Sequence, residues 1–291
     1  MRILDNFLFY NELDLLELRL RLHYDYVDQF LITECDYTFT RNYKGFNLEK
    51  HKDRFAQWWD KITYIKVSDP PNAPAEQVEQ WQRSFRYRDM MKFNLTSNDV
   101  VLISDVDELI RPEAFDYIKN TDYTYYSLYM PVFNFKFNYM NTNGHYRPND
   151  FWLARAYRGF FIEGYNGMTG AGHLVPKDKR IGVHHAGWHF SFLGDNKSAI
   201  DKLTSFSHTE YSTPEIINNF DIDERIKNKK DHGNRSNLIW ESVKLDNYFP
   251  NEIVNNQEKY KDLILTDGNK SVLDCYPYAI LQEDHNPTSH I

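Results

Sequence analysis

The strongest constraint on the fold is a four-residue run of purely aliphatic side chains, Val100-Val101-Leu102-Ile103, that empties directly into Ser104-Asp105-Val106-Asp107-Glu108. A run this short and this apolar reads as a strand buried on both faces. Three carboxylates then stand where that strand leaves the core. Upstream, short apolar runs alternate with helical patterns. Residues 3–9 and 27–33 read as strands. Between them Leu13, Leu16 and Leu20 share one helical face, with Leu15, Leu18 and Leu22 on the adjoining one. Asn11 is placed to cap this helix, and Glu17, Arg19 and Arg21 point away from its apolar stripe. Phe55, Trp58, Trp59 and Ile62 suggest a short helix running into a strand over 62–67. A proline-rich loop covers 68–74, and residues 76–93 read as a long helix carrying Val78, Trp81, Phe85 and Met90. The order β-α-β-α-β-α-β predicts an α/β fold with a mostly parallel central sheet flanked by helices.

The second half changes character. Residues 123–139 and 151–161 read as strands, and 164–172 holds four glycines and reads as a loop. Residues 181–190 lead into a histidine-rich strand, and 198–206 is helical in pattern. No linker divides the chain, so a single domain over 1–291 is expected, grading from a nucleotide-binding half (1–120) into an acceptor-binding half (121–291). Parallel sheets bind ligands beyond the carboxyl ends of their strands. That rule gathers Asn11, Glu12, Glu34 and Asp105 to Asp107 around one crevice.

Composition narrows the partners. The formal net charge is -8 and no long Lys/Arg block occurs, which argues against a nucleic-acid backbone as ligand. An acidic chain can still hold a nucleotide diphosphate if a metal ion supplies positive charge. Cys35 and Cys275 form no C-x-x-C and no disulfide framework. The first residues lack the apolar core of a signal peptide, and no run reaches transmembrane length, so a soluble, cytoplasmic protein is expected.

Asp105 and Asp107 carry the chemistry. On an extended backbone, residues i and i+2 face the same way. Two carboxylates so placed suit Mn²⁺ or Mg²⁺ and the phosphates such an ion bridges. The second cluster is His184-His185-Ala186-Gly187-Trp188-His189-Phe190. On a strand, His185 and His189 would face one side, and a neutral imidazole, His189 in particular, can complete a site begun by carboxylates. Gly187 permits close backbone approach. Trp188 suits either a sugar platform or the core. Arg83, Arg155, Arg158 and Lys202 are cations able to meet phosphate. Two other classes use the same acids: a non-catalytic carbohydrate-binding protein, and a metal-dependent phosphohydrolase, which typically gathers more carboxylates around two metals.

These residues resemble a known family. The opening Asp5-Asn6-Phe7-Leu8-Phe9-Tyr10-Asn11-Glu12-Leu13-Asp14 and the block Val27-Asp28-Gln29-Phe30-Leu31-Ile32-Thr33-Glu34 with Thr38-Phe39-Thr40 are similar to family 17 glycosyltransferases. This is the family of the β-1,4-mannosyl-glycoprotein β-1,4-N-acetylglucosaminyltransferases. The acidic block at 99–108, Ala186-Gly187-Trp188-His189-Phe190-Ser191, and Lys202-Leu203-Thr204-Ser205-Phe206-Ser207-His208 follow in family order. The resemblance implies a GT-A-like nucleotide-sugar-binding domain, a UDP-sugar donor (UDP-GlcNAc in characterised relatives), a carbohydrate acceptor and inversion at the anomeric carbon. It makes Asp105 and Asp107 the metal motif, with His189 near the metal or diphosphate. Asn11, Glu12, Glu34, Arg83 and Lys202 join Asp105 as donor-binding candidates, and Asp150 and Glu163 are candidate bases for the acceptor hydroxyl. One departure stands out: the family continues its acidic motif with Ile-Pro, whereas this chain has Glu108-Leu109-Ile110-Arg111-Pro112. Acceptor identity does not carry over.

Overall fold

The computed structural model describes residues 1–143, 154–159 and 175–285. In chain order its elements are β1 (Ile3–Leu8), α1 (Leu13–His23), β2 (Gln29–Cys35), a short α2 (Asn47–Lys50), a 3-10 stretch (Lys52–Lys61), β3 (Ile62–Val67), α3 (Ala75–Met90), β4 (Val100–Asp105), β5 (Glu108–Ile110) and α4 (Pro112–Asn120). There follow β6 (Tyr125–Leu128), β7 (Val132–Asn134), β8 (Tyr139–Asn141), β9 (Arg155–Arg158), β10 (Arg180–Val183), β11 (Gly187–Ser191), α5 (Asn196–Ser205), β12 (Trp240–Ser242) and β13 (Glu283–Asp284), with short helical turns between the later strands. The alternation over the first hundred residues is thus as the sequence pattern implies. The glycine-rich stretch at 164–172 lies outside the described residues.

Among the described residues the strands make two sheets, one ordered β13-β10-β6-β9-β4-β1-β2-β3 and one ordered β12-β8-β7-β11-β5. The first is mixed, which corrects the expectation of a mostly parallel sheet. Its β4-β1-β2-β3 block is parallel, as βαβ crossovers require. Beyond β4 the chain leaves to build the second sheet and returns from the other direction, so β9 runs antiparallel to both β4 and β6. Strands from both sides of residue 120 therefore share one hydrogen-bonded sheet.

Helix α1 lies between two cores. Leu16 and Leu20 pack with Phe7, Phe30 and Ile110, whereas Leu15 and Leu18 pack with Leu109, Tyr248 and Phe249. Each fully buried leucine of this kind contributes about 1.5–3 kcal/mol. Burial on both faces also overturns the outward placement of Arg19, which is wholly inaccessible. Its guanidinium meets Asp5 of β1 twice, at 2.9 and 2.5 Å, and donates to the Asp105 and Glu108 carbonyls at 2.7 and 2.9 Å and to Ser104 Oγ at 2.5 Å. His23, one turn on, completes the network. Its Nδ1 lies 2.9 Å from Asp5 Oδ2, a carboxylate that favours a proton on that nitrogen, and its Nε2 lies 3.0 Å from the Ile110 amide nitrogen and 3.1 Å from the Ile110 carbonyl oxygen. Burial pushes the Asp5 carboxyl up, but the charge of Arg19 and the hydrogen bonds from His23 and Arg19 outweigh it and hold Asp5 at about 2.

The histidine-rich stretch is only partly a strand. His184 and His185 form the turn between β10 and β11, with His185 in the left-handed region at φ 53°. Both are buried: His184 Nδ1 pairs with the Tyr276 hydroxyl at 2.6 Å, and His185 with the Tyr248 hydroxyl at 2.7 Å and the Tyr276 carbonyl at 2.9 Å. His185 therefore does not share a face with His189. Trp188 fills the second core at 2% exposure, with the Arg111 guanidinium 4.6 Å from its ring.

Two predictions follow from this packing. Replacing Arg19 with Met leaves Asp5 buried without its cation and should cost about 3–5 kcal/mol in urea unfolding; a loss under about 1 kcal/mol would show that the network is not a structural anchor. Burial lowers His184 and His185 to about 4 and also lowers His23, so the unfolded chain binds more protons than the folded one below the ordinary histidine value. The stability they contribute is complete above about pH 6.5 and is lost as pH falls toward 4. Calorimetric melting temperatures should fall across that window, and a flat profile there would contradict the burial of neutral rings.

Candidate functional site

The acidic tripeptide is a corner between the two sheets. Asp105 ends β4, Val106 and Asp107 make a turn, and Glu108 opens β5. Asp107 is therefore not on an extended strand, and the i, i+2 rule is not what brings it beside Asp105. The turn does so, closed by Glu108, whose Oε2 accepts the Asp105 amide at 2.8 Å. Both carboxylates line one cleft of about 440 Å³ at the carboxyl ends of β1, β2 and β4, within the size range of ligand pockets.

Strand register supplies the next residue. β11 pairs antiparallel with β5 so that His189 stands opposite Glu108, and the Phe190 amide donates to the Asp107 carbonyl at 2.8 Å. The result is His189 Nε2 3.7 Å from Asp107 Oδ1. Gly187 makes this approach possible: a Cβ there would sit 1.9 Å from the Leu109 carbonyl oxygen.

The charges form two short chains. Arg83 of α3 bridges Glu79 at 2.6 Å and Asp105 at 2.8 Å, and Lys202 of α5 bridges Glu12 at 3.4 Å and Asp107 at 2.8 Å. Burial pushes the Asp105 carboxyl up, but Arg83 overrides it and holds it well below the usual carboxylate range. Burial keeps Glu108 well above that range, reinforced by the charges of Asp105 and Asp107. Burial also lowers His189, with Asp107 opposing. Each cation thus stands between two carboxylates, and the corner carries more negative than positive charge.

The candidates from sequence divide clearly. Glu12, Arg83, Asp105, Asp107, His189 and Lys202 all line the cleft. Glu34 sits one layer below. It is wholly buried and accepts from Lys44 Nζ, the Asn47 and Leu48 amides and the Tyr64 hydroxyl at 2.6–3.0 Å, so it anchors the 44–48 segment. Asn11 provides no cap. Glu12 occupies that position without a side-chain cap bond and folds back to accept the Tyr10 and Asn11 amides. Arg155 of β9 is buried, and Arg158 donates to the Thr121 carbonyl at 2.7 Å; neither lines the cleft. Asp150 and Glu163 lie outside the described residues. Cleft residues that pattern reading passed over include Tyr10, Glu79, Asn134, His232, Arg235 and Trp240. Glu79 was accessible as the i, i+4 partner of Arg83; the rest are assembled by long-range packing.

Among the described residues no three His, Cys, Asp or Glu side chains converge as a metal cage. The donors present nonetheless suit Mn²⁺ or Mg²⁺, which are commonly held by one or two carboxylates while phosphate and water fill the remaining positions. Asp107 Oδ1 and His189 Nε2 are the adjacent pair, and the surplus of carboxylates over cations favours a divalent ion.

An α/β fold with a carboxylate-floored cleft at its strand ends is suited to an enzyme that handles a charged group. The sequence profile of Glycosyltransferase family 17 matches residues 1–236, and the chain belongs to that family. It is a glycosyltransferase, with a sugar donor and an acceptor as its substrates. A comparison with curated proteins returned no match. Among the described residues no helix is long and apolar enough to cross a membrane.

Exchanging Gly187 for Ala should push β11 from β5, cost about 1–3 kcal/mol as overpacking does, and loosen His189 beside Asp107. Denaturant melts measure the first effect and His189 ring chemical shifts the second; a variant unchanged in both would disprove the close-approach role.

Proposed function

We propose that this chain transfers a sugar, GlcNAc by family resemblance, from a UDP-sugar to a carbohydrate acceptor, with inversion and with dependence on Mn²⁺ or Mg²⁺, in a GT-A-like arrangement. The observation that carries the reading is the acidic corner, where four carboxylates share two cations inside a cleft of about 440 Å³ in a family 17 chain. Asp107 and His189 would hold the ion, with Asp105 reaching it directly or through water. Once bound, it would neutralise charge on the diphosphate as that group departs.

The chain's own groups supply the rest. Arg83 keeps Asp105 ionised, Lys202 holds Asp107 in place, and both stand ready as cations for the phosphates. Tyr10, Tyr37 and Gln82 line the part of the cleft reached by β1, β2 and α3, and offer a ring face and amide for a nucleoside. The acceptor hydroxyl oxygen attacks the anomeric carbon and the bond to the diphosphate breaks. The bonding pair leaves with UDP, and the hydroxyl proton passes to an acidic side chain, for which Asp150 and Glu163 are the proposed bases.

The test is Asp107→Ala. UDP release in the presence of Mn²⁺ and acceptor should drop by roughly 10³-fold, with the melting curve little changed. Retained turnover would refute the role given to this carboxylate. A wild-type protein whose melting temperature does not respond to UDP-sugar with Mn²⁺ would refute the donor.

A further inference from the structure

A second wall of the cleft presents a guanidinium where the corner presents carboxylates. It comes from the segment around residues 231–240. His232 stacks on Phe192 at 4.0 Å and lies 3.0 Å from Asn134 Nδ2, and Trp240 stacks on Tyr139 at 5.7 Å. Asp231, wholly buried behind this wall, accepts from the Arg235 amide at 3.1 Å and from Arg235 Nε at 2.6 Å. Its carbonyl accepts from Arg225 at 2.8 Å. At the corner one cation serves two carboxylates; here the buried carboxylate of Asp231 is paired with Arg235, and Arg225 holds its main chain. The other acid beside Arg225 is Glu224, which is exposed to solvent.

Arg235 faces the cleft. Both of its contacts to Asp231 involve the inner side of the residue, the main-chain nitrogen and Nε. Its two terminal nitrogens make no hydrogen bond among the described residues, and its side chain is 39% exposed and lines the cleft. The other lining cations are engaged: Lys44 with Glu34, Arg83 with Glu79 and Asp105, and Lys202 with Glu12 and Asp107. A planar guanidinium fixed by a buried carboxylate, with its terminal edge free, is preorganised for a paired contact to an oxyanion. Leu238 and Trp240 continue the wall beyond the part of the chain that the family profile matches.

We infer that this wall is the acceptor subsite and that it selects a carbohydrate bearing an acidic group, a carboxylate or a phosphate, through Arg235. The inference rests on the transferase reading and adds the class of acceptor. Phe192, His232 and Trp240 are buried and back the wall, the part-exposed Phe206, His208 and Tyr211 offer ring faces to the cleft, and Arg235 supplies the charge that picks the acidic member.

The test is binding of the full chain, in the presence of UDP and Mn²⁺, to an oligosaccharide panel in which each neutral sugar is paired with its uronic-acid and its sugar-phosphate counterpart. The wild type should prefer one acidic set by about tenfold or more; which set it prefers separates carboxylate from phosphate. Arg235→Gln should erase the preference, and Arg235→Lys should keep part of it, which guards against a variant that merely fails to fold. Parity between acidic and neutral members with a normal UDP response in the wild type overturns the acceptor class alone. A preference that survives Arg235→Gln, or a substitution that weakens the UDP response instead, also overturns it. Absence of any UDP response in the wild type overturns the transferase reading beneath it.

Discussion

The structure depends on one buried ion pair. Arg19 and Asp5 are both inaccessible, and an arginine in that position is tolerable only because every direction it faces offers an acceptor. Asp5 belongs to a central strand and Arg19 to the first helix; the carbonyls that Arg19 meets belong to the turn after β4. His23 fixes the same turn from the other side through the Ile110 amide. The acidic corner is thus tied to the first strand and the first helix, with Arg19 and Asp105 lying 86 residues apart in sequence. Two carboxylates in a turn would repel each other and splay; here the backbone beneath them is held by a charge network that they do not themselves supply.

From that corner the cleft acquires its polarity. The chain passes from the eight-stranded sheet to the five-stranded one within two residues, so β5 and β11 deliver His189 to the same place where β4 delivers Asp105. Helices α3 and α5 each bring one cation, and the pairs Glu79–Arg83–Asp105 and Glu12–Lys202–Asp107 close the floor. The acids remain in surplus there, whereas at the second wall Arg235 stands against one buried carboxylate, Asp231.

Much of this was legible in the residues. The alternation of strand and helix and the central position of the Val-Val-Leu-Ile strand follow from apolar periodicity, and the gathering of Glu12, Asp105 and Asp107 from the rule on strand ends, whereas Arg83, Lys202 and His189 were marked by residue type and by the family resemblance. Three things were not. The mixed sheet was hidden because pairing direction depends on where the chain returns, which local pattern does not encode. Arg19 read as solvent-facing because a helix pattern assumes one buried face, and α1 has two. Asp5 and Asn6 inside an otherwise apolar strand were the overlooked signal, since polar groups in a core strand require partners elsewhere. Glu34 sat at a strand end as the rule demands, yet its oxygens are all engaged by the 44–48 segment. The rule locates a residue but does not say whether it still has a free lone pair.

The two-residue passage between the sheets bears on cooperativity. A linker so short transmits strain rather than absorbing it, and α1 contributes leucines to the cores on both sides of it. Opening either sheet would therefore strip the other of packing and of its anchored turn. Opening the cleft at that passage would cost packing in both cores at once.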